Sequence, residues 1–144
     1  MTALAEAVMA AAMPVLASAL PGVTVERARR AEVAITEMPR LGYRLLAMVP
    51  DTSQSPTETF WTLRIGLTGY AAAATDQAAE TALIEMHAAT MAAIEGRQFA
   101  PGVVDVAGVG MSIALYEGAD RPCGEFNGEI TVLAVAPTAY PYAP

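Results

Sequence analysis

The chain has 144 residues, a length typical of one domain that buries its own core. Hydrophobic residues make up 54% of it and charged residues only 16%, which predicts a surface that is rich in alanine, covered in part by other subunits, or both. The net charge of −7, with arginine as the only basic residue type, disfavours proteins that grip nucleic acid, but it is compatible with a surface that DNA passes without binding.

A helix is predicted over residues 2–20. Residues 7–20 are apolar and end in a sequence that imitates a signal-peptidase site, but Glu6 and the absence of Lys and Arg before this run disfavour export. Pro14 interrupts the run, and a helix that spans a bilayer needs about twenty apolar residues. We therefore predict a buried or interface helix and no membrane partner.

Two strands are predicted after this helix. The first covers residues 23–35, where Val and Ile alternate with other residues at both ends of the segment. Met38-Pro39 breaks the pattern, and the second strand is predicted over residues 42–49. The polar, turn-rich residues 51–57 then predict an exposed loop.

The hydrophobic period changes once between residues 58 and 96, from two to about 3.6 residues. The first half of this segment predicts a strand over residues 59–70 with one buried face. The second half predicts a helix over residues 75–95 that ends at Gly96 in a left-handed conformation. The predicted apolar stripe of this helix consists of Leu83, His87, Met91 and Ile94.

Two more strands are predicted over residues 109–116 and 129–136, joined by a long acidic connection at 117–128. The prolines and tyrosines of residues 137–144 predict an extended tail, which leaves residues 1–136 as a single domain. The order helix-strand-strand-strand-helix-strand-strand predicts an α+β fold, with both helices packed on one face of a largely antiparallel sheet of about five strands.

The sequence contains no motif that points to catalysis. His87 is the only histidine, and its place on the apolar stripe favours a packing role over that of a general base or metal ligand. Cys123 is the only cysteine, which excludes an intrachain disulfide, and no histidine lies near it in the sequence. We therefore expect no enzyme activity, no cofactor and no metal site.

Two features predict contacts with partners. Arg27, Arg29 and Arg30 lie among acidic residues, with Arg27 and Arg29 on one face of the predicted strand. They form either a solvated, self-compensating cluster or ion pairs with another subunit. Tyr140 and Tyr142 lie between prolines in the tail, which either docks on a neighbour or is a frayed end.

Several segments, taken in chain order, also carry a family resemblance. They are the helix that ends in Leu20-Pro21-Gly22-Val23, the strand with Glu26 to Arg30, the break at Glu37-Met38-Pro39, the strand that starts with Phe60-Trp61-Thr62-Leu63 before an Ala-rich helix, and the strands Val109 to Tyr116 and Glu129 to Val135 around a long loop. In this order they resemble the tail terminator (tail completion) proteins of long-tailed phages and related gene-transfer particles. The resemblance covers nearly the whole chain and carries no invariant functional residue.

The resemblance implies a structural virion protein, assembled in the host cytoplasm and located in the tail or neck. Such proteins form a ring, usually a hexamer, that caps the tail tube, ends its polymerisation and docks to the head-tail connector. DNA passes through the central channel as a non-specific cargo, and an acidic chain suits a channel that repels phosphate.

Within this family, ring and partner contacts are expected at the arginine cluster, at the loops over 51–57 and 117–128, and in the tail. The residues concerned are Arg27, Arg29, Arg30, Asp51, Glu58, Glu117, Asp120, Arg121, Glu125, Phe126, Tyr140 and Tyr142. Two alternatives remain open: another neck or tail component, such as a head-tail stopper or a tail-tube subunit, and a small α+β enzyme or ligand-binding dimer that uses His87.

Overall fold

A computed structural model describes residues 2–29, 31–51 and 57–137 of the chain. Its helices and strands are α1 (Leu4–Ala19), β1 (Thr24–Arg27), β2 (Arg40–Asp51), β3 (Glu58–Ala72), α2 (Asp76–Ile94), β4 (Val103–Leu115) and β5 (Cys123–Pro137), with a 3-10 turn at Ile35–Glu37. The α+β class and the order of the elements are therefore as the sequence predicts. No helix among the described residues is long and apolar enough to span a membrane.

The five strands form one sheet in the order β1-β2-β3-β5-β4. Neighbouring strands are antiparallel in three of the pairs, whereas β1 and β2 are parallel. The connection between β1 and β2 contains the 3-10 turn and is long enough to return the chain to the starting end of the sheet, as a parallel pair requires. The sheet is therefore mixed, and the prediction of a largely antiparallel sheet is only partly correct.

Strand β3 lies at the centre of the sheet and has one buried face. Its side chains at Leu63, Ile65 and Leu67 are almost completely buried, which confirms the buried face that the alternating sequence predicts. Helix α1 packs on β1 and β2, and α2 packs on β3, β4 and β5. Because the buried residues of both helices meet this same face in a single core, no helix of the described part of the chain lies on the opposite face. We call it the helix-free face.

Helix α2 has the predicted start and end. The Thr75 hydroxyl accepts a hydrogen bond from the Ala78 N–H at 3.1 Å, as an N-cap does, and Gly96 follows the helix with φ +68°. The buried stripe includes the predicted Leu83 and Ile94, but residues 86 and 90 are buried in place of residues 87 and 91. It consists of Ala79, Leu83, Met86, Thr90 and Ile94, so that His87 and Met91 lie at its half-buried margin.

The first predicted strand is too long. Strand β1 ends at Arg27 because Ala28 has φ +56°, a left-handed conformation that turns the chain out of the sheet. The prediction that the strand continues to Ile35 is therefore wrong, and Ile35 lies in the 3-10 turn. The described part of the following connection instead reaches the helix-free face, where Val33 and Tyr70 line a common cleft.

The last two strands are longer than predicted. Strand β4 begins at Val103 and β5 at Cys123, so the second half of the predicted loop over 117–128 belongs to a strand. The sequence does not predict the start of β5 because it contains Gly124 and Gly128, and glycine is depleted in strands. The structure requires a glycine at position 124, since a Cβ there would lie 2.4 Å from the carbonyl oxygen of Ala114. The predicted tail over 137–144 lies outside the described residues except for Pro137, which ends β5.

Replacing Gly69 with alanine is expected to destabilise the fold by about 2–3 kcal/mol, because overpacking a filled core forces side chains out of their preferred rotamers. A Cβ at Gly69 would lie 1.8 Å from the Phe126 ring and 2.7 Å from the Met86 sulfur. Gly42→Ala is the matched control, since its Cβ would meet only the Thr68 carbonyl oxygen at 3.8 Å. Chemical denaturation measures both variants, and equal stabilities would show that the ring moves freely.

Candidate interaction surfaces

The two residues with the most reactive side chains lie in or beside the core. Cys123 is 1% exposed at the start of β5. The His87 ring packs edge-on against Phe126, with ring centroids 5.4 Å apart and an interplanar angle of 79°. Burial lowers the pKa of His87. Among the described residues, no group of three His, Cys, Asp or Glu side chains is placed to hold a metal ion.

The described part of the arginine cluster is paired within the chain. Both terminal nitrogens of Arg27 donate to the Glu6 carboxylate at 2.7 Å, a bidentate pair that ties the end of β1 to the start of α1. Arg29 follows the left-handed Ala28 and therefore lies beyond the strand, so the two arginines do not share a strand face as predicted. Arg30 lies outside the described residues. An ion pair with another subunit stays a prediction.

A network of four charged residues holds the connection between β1 and β2. Arg29 Nη1 lies 2.6 Å from Glu37 and 3.3 Å from Glu26, and Arg40 Nε lies 2.7 Å from the same Glu26 oxygen. Arg29 also donates to the carbonyl oxygen of Glu32 at 2.9 Å. The hydrogen bond from Arg29 lowers the pKa of Glu37. The network therefore stabilises the turn that leads from the first strand into the second.

The helix-free face is polar at its centre. Arg64 on β3 forms an ion pair with Glu129 on β5, and the Thr68 hydroxyl donates to the Asn127 side-chain oxygen at 3.2 Å. An open cavity of about 160 Å³ lies between the sheet and the connection after β1, and Arg29, Val33 and Arg44 are among its lining residues. The described charges on this face are thus mixed and partly compensated.

A second cleft on the helix-free face lies between Glu32, Val33, Tyr70, Tyr116 and Glu125. Burial raises the pKa of Tyr116 to about 12, and the nearby Glu125 carboxylate adds to this effect. Glu125 is thus half-buried on the sheet rather than exposed in a loop, as the predicted connection would have it.

The other predicted contact residues fall into two groups at opposite ends of the sheet. Asp51 and Glu58 are exposed at the ends of β2 and β3. The second group is exposed in the connection between β4 and β5 and consists of Glu117, Asp120 and Arg121. Strand β3 has 15 residues and therefore separates the groups by about 45 Å.

The remaining predicted contact residues are not on the described surface. Phe126 is 0% exposed, because it lies in β5 with its ring in the core, and not in a loop. Tyr140 and Tyr142 lie outside the described residues, as do residues 52–56 of the predicted exposed loop.

The sequence does not predict a set of exposed aliphatic side chains on β2 and β4. The set consists of Leu45, Leu46 and Val49 on β2 and of Val104 and Val109 on β4, each at least 37% exposed. The register of the ladder shifts between Leu45 and Ala47, between Val103 and Asp105, and between Gly108 and Gly110. Two adjacent apolar residues within a predicted strand, such as Leu45-Leu46, indicate a bulge, because a bulge interrupts the alternation of buried and exposed side chains.

Comparison with known proteins gives a match in structure only. No protein-family model matches the chain, and no curated protein matches it. Solved structures do match, and one of the chains comes from the virion of a native gene transfer agent (GTA) particle. The TM-score is 0.60 at 15% sequence identity, and the match covers 94% of this chain and 100% of that chain. At this identity the match shows a shared fold over nearly the full length.

Replacing Glu37 with glutamine is expected to reduce the loss of stability in acid. The folded pKa of Glu37 lies below its ordinary value of 4.5, so its contribution is complete above pH 4.5 and disappears as the pH falls through the folded pKa. Glu37→Gln should therefore be less stable than the wild type at neutral pH and should approach it in acid. The measurement is chemical denaturation across about pH 3–7.

The control for this series is Glu80→Gln, which changes an exposed carboxylate on α2 for which the described residues show no ion pair. It should leave the stability at neutral pH close to that of the wild type. A Glu37→Gln profile that runs parallel to that of the wild type would contradict the role of the Arg29–Glu37 pair.

Replacing His87 with glutamine is expected to make the free energy of unfolding less dependent on pH just below pH 6.5. Burial holds the folded pKa of His87 below its ordinary value of 6.5, so the unfolded chain binds a proton first. Wild-type stability should therefore fall as the pH drops from 6.5 through the folded pKa. His87 is the only histidine, and a variant that keeps this slope would show that another group causes it.

Proposed function

We propose that this protein is a structural component of a phage-like virion, and specifically a tail terminator. The observation that carries the proposal is the fold shared, over nearly the full length of both chains, with a chain of the GTA virion. In the proposed role a ring of subunits, usually six, caps the tail tube, ends its polymerisation and docks to the head-tail connector. DNA passes through the central channel.

The placement of the exposed loops supports a protein with two docking sides. The ends of β2 and β3 with Asp51 and Glu58 lie at one end of the sheet, and the connection with Glu117, Asp120 and Arg121 lies at the other. In a ring whose strands run along its axis, these ends face opposite neighbours. One end would then meet the tail tube and the other the head-tail connector.

The charge of the chain supports a channel that does not retain DNA. The net charge is −7, and Arg64 on the helix-free face is compensated by Glu129. Phosphate binding requires clustered and uncompensated basic side chains, and the described part of this face has no such cluster. In the proposed ring the helix-free face lines the channel, and both helices lie outside.

The test makes two measurements: the native mass of the purified protein, and the length of the tails on particles produced without it. The purified protein should have the native mass of a ring, alone or on addition of tail tubes. Particles produced without it should carry tails of uncontrolled length, because nothing stops the growth of the tube. Normal tails with unattached heads would indicate a stopper, and absent tails would indicate a tube subunit.

A catalytic role has no supporting observation, and one variant separates it from assembly. His87→Gln should assemble like the wild type, because His87 lies on α2 with its ring against Phe126 and is not on an exposed surface. The ring proposal is wrong if the protein remains a monomer both alone and with tail tubes.

A further inference from the structure

The cleft between Tyr70 and Tyr116 has aromatic walls with a carboxylate between them. Tyr70 on β3 lies directly opposite Glu125 on β5, and Ala114 of β4 lies on the other side of Glu125. Because alanine has only a methyl group, it leaves space above the sheet, and Tyr116, two residues further along, borders this space. Glu32 of the connection after β1 also lines the cleft, which has a volume of about 390 Å³. We call it the tyrosine cleft.

The two carboxylates of the tyrosine cleft have no cationic partner in the described part of the chain. Neither Glu32 nor Glu125 forms an ion pair with a described residue. Arg29 lies near Tyr70, but it belongs to the network of two arginines and two glutamates, which is neutral as a whole. Arg121 lines a separate depression and not this cleft. The described residues therefore leave the negative charge of the cleft unbalanced.

The two tyrosine rings are partly withdrawn from water. Burial is the main cause that raises the pKa of both Tyr70 and Tyr116, and the Glu125 carboxylate adds to both effects. Both phenols are therefore neutral at neutral pH. A carboxylate attracts a cation by its charge, and the face of a neutral aromatic ring attracts it by its quadrupole. The combination favours a cation between the two rings.

Among the cationic side chains of proteins, arginine matches this arrangement. Its guanidinium group is planar, so it stacks on an aromatic ring, and its fork of N–H groups donates to a carboxylate. The lysine ammonium is a compact and strongly hydrated charge without such a plane. A calcium or magnesium ion requires more oxygen ligands than two carboxylates supply, and the described residues hold no group of three His, Cys, Asp or Glu placed for a metal.

We infer that the tyrosine cleft binds the guanidinium group of an arginine side chain that a partner protein presents. The cleft lies at the end of the sheet that carries the exposed Glu117 and Asp120, and these charges attract a basic surface. That the partner is the component next to this side of the ring rests on the proposed function. The binding of a guanidinium group in the cleft does not depend on that function.

The isolated protein gives the first test. N-acetyl-arginine amide is titrated, and its binding is followed by saturation-transfer NMR, which observes the small molecule and works for a monomer or a ring. The signal should saturate. N-acetyl-citrulline amide has the same shape without the charge and should show no saturable binding, because the carboxylates and the ring faces attract a cation.

Two sets of variants locate the bound molecule. Glu32→Gln combined with Glu125→Gln should weaken binding about tenfold or more, since hydrogen bonds between charged groups are the strong ones. Glu80→Gln combined with Glu85→Gln removes the same charge from exposed sites on α2 and should bind like the wild type. Tyr116→Leu should weaken binding about threefold, whereas Tyr116→Phe, which keeps the ring, should not. Thermal unfolding checks that each variant is folded.

Assembly tests the source of the arginine. Particles produced with the Glu32→Gln/Glu125→Gln variant should include about tenfold fewer complete tailed particles than those with the α2 control, because a desolvated charge pair with the partner is lost. The native mass of the purified variant should equal that of the wild type, since the arginine comes from another protein. A changed native mass would assign the arginine to a second copy of this chain and overturn the inference.

Three further results would overturn it. The first is equal binding of the arginine and citrulline amides, or none of either. The second is tighter binding by Arg30→Gln than by the wild type, which would show that the chain's own arginine fills the cleft. The third is a normal number of complete particles with the cleft variant.

The inference and the proposed function can fail separately. Binding of the arginine amide in the cleft of a protein that does not control tail length would support the site and contradict the terminator role. Control of tail length by a protein whose cleft does not bind the amide would leave the proposed function standing and remove the site.

Discussion

The contact of the Phe126 ring with Gly69 is the constraint on which the centre of the structure depends. The two residues are opposite each other on β5 and β3, and a side chain at Gly69 would occupy the space of the ring. The ring also meets His87 and lies near Met86, so it fixes where α2 rests on the sheet. A glycine in a central strand, which costs stability by itself, is thus required by the packing of a large aromatic residue.

One-sided burial follows from this arrangement and decides where function can lie. Both helices cover the same face of the sheet, and part of the connection after β1 lies on the opposite face. The helix-free face is polar at its centre, where Arg64 pairs with Glu129, and it carries the Leu46 side chain over Gly66. Water is a suitable neighbour for its polar centre.

The sequence predicts the elements that rest on periodic burial and misses those that rest on single backbone conformations. Strand β3 and helix α2 were predictable because a buried face recurs along each of them. The end of β1 was not, because alanine gives no signal for the left-handed φ of Ala28. The sequence does not predict the start of β5 because of its glycines, and it therefore places Phe126 in a loop and on a contact surface.

The arginines show why the candidate surfaces were harder to predict than the fold. Sequence alone left Arg27 and Arg29 with two interpretations, and the choice depends on which carboxylates the fold brings near them. Glu6 arrives from α1 and Glu37 from the 3-10 turn, so both described arginines are paired within the subunit. Electrostatic pairing therefore stabilises the subunit itself, and this role could be assigned only from the fold.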